Sequence, residues 1–182
     1  MVAIISVILI LVTTISSIAA IDVFAVSDHR VKAEKAYSVT ASSYMVMSGS
    51  TSEKVVEKHS DRKMQPGKIT MLMTAMVLLD NVYDDSELSN TVEVGDQIAP
   101  LGQTFLLGES VTVGDLLNAM LVGGDVQAAE LLAKYGASSR KIFVKEMNSK
   151  CMELGIMDTQ FVNASGIYDI NQYSTAADLA VI

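Results

Sequence analysis

The chain has 182 residues, half of them hydrophobic and 19% charged, with a net charge of -8; that is enough chain for one domain burying roughly two thirds of its surface. Its Lys and Arg residues are scattered and form no basic stripe, which excludes nucleic acid as a partner class. One cysteine, Cys151, excludes an internal disulfide framework, and its helical surroundings predict a buried small hydrophobe.

The first 21 residues carry no charged side chain and are long enough to enter a bilayer. Val23-Phe24-Ala25 places modest and small residues where a signal peptidase reads, so residues 1–25 are expected to be a signal peptide cleaved after Ala25. No Lys or Arg occurs from Met1 to Ile5, and retention as a membrane anchor is the alternative. Either outcome predicts an extracytoplasmic domain that meets the membrane only through this segment. Residues 26–42 are polar and without periodicity, a linker, and the domain is expected over 43–182.

Alternation over 44–59 predicts a hairpin turning at Gly49-Ser50-Thr51-Ser52. Pro66 fixes the entry to a helix over 67–83 whose apolar residues cover nearly the whole circumference, the pattern of a central helix buried on all sides. Met71, Met73, Met76 and Met120 read as core filling, and Asp84-Asp85-Ser86-Glu87 as a solvated loop rather than a calcium site. Thr112-Val113-Gly114-Asp115 is a capping box opening a helix that Gly123-Gly124 breaks. Further helices are expected over 126–135 and from 139, ending at Gly136 and Gly155, both glycines suiting a left-handed cap. Thr175-Ala176-Ala177-Asp178 is a second capping box, seven residues before Ile182. A helix that short is not stable alone, which predicts a chain stopped inside an element. His29 and His59 have no Cys or carboxylate at metal-ligand spacing, so no metal and no cofactor is expected.

The segment Pro66-Gly67-Lys68-Ile69-Thr70-Met71-Leu72-Met73-Thr74-Ala75 resembles the active-site helix of the D-alanyl-D-alanine carboxypeptidases, low-molecular-mass penicillin-binding proteins whose usual segment is Pro-Ala-Ser-Leu-Thr-Lys-Ile-Met-Thr-Ala. Supporting stretches follow in family order. They are Tyr44 to Met47 with Lys54 to Lys58, Ser110 to Leu117, Phe143 to Asn148, Leu154 to Asn163 and Tyr173 to Ala180. The resemblance implies an α+β, β-lactamase/transpeptidase-like fold: an N-terminal hairpin and a helical cluster, without the later sheet strands.

It also implies where catalysis would reside. In such enzymes a serine at the helix start attacks the carbonyl, and a lysine one turn later accepts its proton. Here the nucleophile position is Lys68 and the base position Met71; an amine would form an amide too stable to turn over, and a thioether accepts no proton. The second motif, Ser-x-Asn, reads Gly123-Gly124-Asp125, losing the serine and placing a negative charge where the substrate carboxylate is expected. The third, Lys-Thr-Gly, occurs nowhere in the chain. Loss of the nucleophile in a comparable serine machinery costs on the order of 10⁶ in rate. Two other Ser-x-x-Lys strings, Ser60 to Lys63 and Ser138 to Lys141, read as chance matches, because neither opens a buried helix after a proline. Lys68 itself reads as a solvated lysine at a helix end.

These degenerate positions predict a pseudoenzyme associated with peptidoglycan, its partner the stem peptide or an envelope protein. The alternatives are an active serine-type carboxypeptidase with a rearranged site, and an envelope interaction or scaffold module.

Overall fold

The computed structural model describes residues 39–182 apart from 83, 99 and 100; the expected leader and most of the linker lie outside them. The chain divides into two units, Met1–Lys58 and His59–Ile182. In the first, β1 (Tyr44–Met47) and β2 (Lys54–Lys58) pair antiparallel, Tyr44 opposite Lys58 and Val46 opposite Val56, with an irregularity after Val46. The expected turn closes them: Ser52 N–H donates to Ser48 O at 2.8 Å, and Ser48 N–H to Glu53 O at 2.9 Å.

The second unit begins with a 3-10 turn, Gly67–Ile69, running into α1 (Thr70–Asp80). The expected single helix over 67–83 is therefore tighter at its start and ends earlier. Its seven buried residues include Met71, Met73, Val77 and Leu78. The expectation of burial on all sides is overturned, since Leu72 and Leu79 are 49% and 46% exposed. Seven residues apart, they fall on one face two turns along. An apolar circumference shows that a helix can be buried all round; neighbours decide whether it is.

After a 3-10 turn, Asp85–Ser89, capped by Asp84 (Ser86 N–H to Oδ1, 2.8 Å), β3 (Thr91–Glu93) pairs antiparallel with β4 (Ser110–Thr112). This small sheet was not expected: three residues per strand carry too little alternation to read. Thr112 then caps α2 (Val113–Gly123), its Oγ1 accepting from Asp115 N–H at 3.1 Å, as the capping box predicts. α3 (Val126–Gly136) and α4 (Arg140–Glu153) follow, and Ser139 caps the latter through Ile142 N–H at 3.3 Å.

Gly155 has the expected left-handed φ of +72°, but Gly136 does not. Gly136 is small for a packing reason: a Cβ there would lie 2.8 Å from Phe143 Cε2 and 3.0 Å from Leu78 Cδ1, so its bare backbone lets α1, α3 and α4 close together. Met71, Met73 and Met120 are buried with Leu116, Leu131, Phe143 and Met147, and Met76 packs partly buried against them. Cys151 is buried as expected, and burial pushes its thiol up to about 11.

The segment from Leu154 onward is irregular, so side chains and isolated bridges satisfy its backbone. Asn148 donates to Phe161 O at 2.8 Å and accepts from Phe161 N–H at 2.9 Å, substituting for a strand partner. Gln172 Oε1 accepts from Val162 and Asn163 N–H, and bridges join Met64 to Ser174 and Gln160 to Tyr173. Thr175 caps the short α5 (Ala176–Leu179), with Asp178 N–H at 3.0 Å.

Candidate active site

Three local features deliver the start of α1 to one place. Pro66 is buried and Gly67 takes a φ of +54°, turning the chain into the helix. From the other side the loop over 163–167 closes against it. Asn163 shapes that loop, its Oδ1 accepting from Gly166 N–H at 2.7 Å and its Nδ2 donating to Ile167 O at 2.9 Å. Thr74 Oγ1 ties the loop to α1 by donating to Ala164 O at 2.7 Å. Gly166 approaches so closely that a Cβ on it would stand 1.9 Å from the carbonyl oxygen of Gly67. The backbone of positions 67 and 68 is thus held rigidly, the requirement for a nucleophile carrier.

The side chain so presented is an amine. Lys68 is exposed and lies along the C-terminal end of α2, where a Cβ on Gly124 would meet its Cδ and Nζ at 2.8 Å. Gly124 is the left-handed cap of α2, φ +64°. Lys68, Met71, Gly123 and Gly124 line one pocket of about 290 Å³, completed by Leu72 and residues 120–122. The sequence-predicted first and second motifs therefore meet in space, and no lining residue of that pocket carries a hydroxyl, thiol, imidazole or carboxylate. Met71 is 2% exposed and belongs to the core as much as to the pocket. The neighbouring Thr70 hydroxyl is sealed from solvent and has no hydrogen-bond partner among the described residues.

Asp125 is not in that pocket. It caps α3, Oδ1 accepting from Ala128 N–H at 2.8 Å, while Oδ2 accepts from the Thr104 hydroxyl. Asp125 has a structural role besides, because both carboxylate oxygens are engaged with α3 and the preceding loop. Gln127 fastens the same loop, donating to Phe105 O and accepting from Phe105 N–H, both at 2.9 Å.

The other Ser-x-x-Lys strings separate. Ser60 is buried, its carbonyl accepting from Ala177 N–H at 2.9 Å, whereas the Lys63 ammonium pairs with Asp158 at 3.0 Å and lies 4.5 Å from the centre of the Tyr173 ring. Ser138 and Lys141 both line a larger cleft of about 760 Å³, but Ser139 is the cap, so Ser138 lies before α4 rather than on it. Sequence reasoning missed a polar cluster beside this cleft. Glu130, 6% exposed, accepts from Ser165 Oγ at 2.9 Å and pairs with Arg140 at 3.3 Å. Its signal was a lone carboxylate inside Ala128-Ala129-Glu130-Leu131-Leu132-Ala133, a run that demands burial of whatever it contains.

The fold that carries this pocket is that of the DD-peptidase and transpeptidase penicillin-binding proteins. The carboxypeptidase DacD of Francisella tularensis superposes with a TM-score of 0.73 at 25% identity, over 80% of this chain and 36% of that one. Penicillin binding protein 6B of Escherichia coli does so with a TM-score of 0.73 at 27% identity, over 81% of this chain and 50% of that one. The chain belongs to the D-alanyl-D-alanine carboxypeptidase family, whose profile matches residues 29–182. It is 29% identical to D-alanyl-D-alanine carboxypeptidase DacF of Bacillus subtilis over 163 residues, 87% of this chain and 41% of that protein. It is 35% identical to a D-alanyl-D-alanine endopeptidase of Haemophilus influenzae over 133 residues, 72% of this chain and 45% of that protein. The chain thus spans less than half the length of these two relatives.

Proposed function

We propose that this chain is a non-catalytic relative of the D-alanyl-D-alanine carboxypeptidases, acting outside the cytoplasmic membrane on or beside peptidoglycan. The observation that carries the reading is the chemistry of the 290 Å³ pocket: Lys68 is its one ionisable side chain and Met71 stands where a proton acceptor is required. Acyl transfer needs a nucleophile with an adjacent base. Lys68 has no base beside it in the pocket, and the sealed Thr70 hydroxyl is closed to a substrate. The preserved frame supports retention of a recognition role, with the Lys68 ammonium placed to pair with the terminal carboxylate of a stem peptide. The extracytoplasmic placement rests on the apolar first 21 residues and on the family.

The test is incubation of the purified chain with a fluorescent penicillin, alongside an assay for D-alanine release from a diacyl-D-Ala-D-Ala peptide. No labelled band and no release above the buffer background are expected. A band that disappears in a Ser138→Ala or Ser60→Ala variant would establish the alternative, an active enzyme with a rearranged site.

A further inference from the structure

The 760 Å³ cleft is walled by α3, the start of α4, the segment around Ile98 and Leu101, and the loop over 162–169. It has the size of a site for a small organic ligand or short peptide. Its charge runs against that of the molecule. In a chain of net charge -8, three cations line it, Lys134, Arg140 and Lys141, against two carboxylates, Glu130 and Asp169. Glu130 is already paired with Arg140 and accepts a hydrogen bond from Ser165, and Asp169 Oδ1 accepts from Asn171 N–H at 2.8 Å. Lys134 and Lys141 are exposed, and neither forms an ion pair among the described residues. They stand on different helices, so they present two separated positive charges rather than one focus.

The rest of the lining mixes polar groups, among them Gln97, Ser138 and Asn163, with an apolar side that is partly uncovered. Ile167 and Tyr168 are 47% and 70% exposed at the cleft, and Leu101 and Val144 complete its walls. A tyrosine ring free to cover a ligand, beside unpartnered cations, suits a molecule with an apolar body and separated anionic groups. We propose that this cleft is a second binding site, distinct from the Lys68 pocket, for a short peptide bearing two or more carboxylates. Two separated ammonium groups favour a divided negative charge over a single compact oxyanion, because each carboxylate then meets its own cation at close range.

The proposal is tested by calorimetric titration of the full chain with acetyl-Glu-Ala-Glu, acetyl-Gln-Ala-Gln and inorganic phosphate at low and at 0.5 M salt. The glutamyl peptide should bind, weaken with salt, and lose about tenfold or more in affinity in the Lys134→Ala/Lys141→Ala variant. The Lys134→Arg/Lys141→Arg variant should retain binding, and the glutaminyl peptide should not bind. Both lysines are exposed, so circular dichroism should show all variants folded. Absence of glutamyl-peptide binding, or unchanged affinity in the alanine variant, would overturn the proposal. So would loss in the arginine variant, or phosphate binding as tight as the peptide's, which would assign the cleft to a compact anion. The Lys134 and Lys141 variants leave the Lys68 pocket unchanged, so peptide binding that survives the alanine pair is assigned to Lys68 and overturns only this second site, while the penicillin and D-alanine assays test the proposed function separately.

Discussion

At the scale of single residues, two glycines four decades of chain apart have opposite claims to their identity. Gly166 combines a φ of +75° with a virtual Cβ only 1.9 Å from a backbone oxygen, and backbone cannot step aside as a lysine end can. Gly166→Ala is expected to destabilise the protein by roughly 2–4 kcal/mol and to displace the start of α1, read as a lower urea midpoint. Gly123, with nothing within 4 Å and no left-handed φ, should accept alanine at no cost or gain slightly, about 0.5–1 kcal/mol, from helix propensity. Equal effects at both positions would remove the steric account. Cys151 supplies a pH dependence. Its folded pKa is raised from 9.0 to about 11, first by burial and then by the charge of Asp178. The thiol thus contributes stability that is complete below pH 9 and is lost as pH rises through about 11, because the unfolded thiol ionises first. Melting between pH 8 and 11 should fall more steeply for the parent chain than for Cys151→Ala; parallel curves would mean the thiol is not held neutral.

At the scale of elements, caps were the most legible feature. Thr112 with Asp115 and Thr175 with Asp178 form as their spacing predicts, because a capping box is satisfied within four residues. The cap at Asp125 was hidden by the family resemblance, which marked the position as catalytic although an aspartate before a helix is also a strong N-cap. Asp125→Ala should therefore destabilise by about 1–2 kcal/mol, since it strands Ala128 N–H and the Thr104 hydroxyl together. Asp125→Asn should stay within a few tenths of the parent, because its Oδ1 still accepts from Ala128 N–H and its Nδ2 can donate to a rotated Thr104 hydroxyl. A thermal scan separates the two, and an asparagine variant as damaged as alanine would mean that charge, not capping, holds the loop.

At the scale of the whole molecule, the exposed apolar face of α1 matters most. Leu72 and Leu79 lie on it, with Ile69 47% exposed one turn before Leu72. Uncovered apolar stripes recruit other chains. Light scattering should show mass rising with concentration, and Leu72→Gln/Leu79→Gln should reduce that rise without lowering the melting temperature, because both side chains are half outside the core. Equal association of parent and variant would place the contact elsewhere.

The sequence by itself determined the elements whose causes are local: the hairpin turn, the proline entry to α1, the capped helix starts and the replaced chemistry at positions 68 and 71. Each follows from a few adjacent residues, and their order is what made the family legible. Tertiary structure alone decided which apolar face of α1 is covered, why Gly136 is small, and that Asp125 faces away from the pocket Lys68 shares with Gly124. It also decided that Glu130 meets Ser165 and Arg140, at sequence separations of 35 and 10 residues. Such facts depend on which distant surfaces come into contact, and a helix repeats every 3.6 residues whether its outer face meets protein or water.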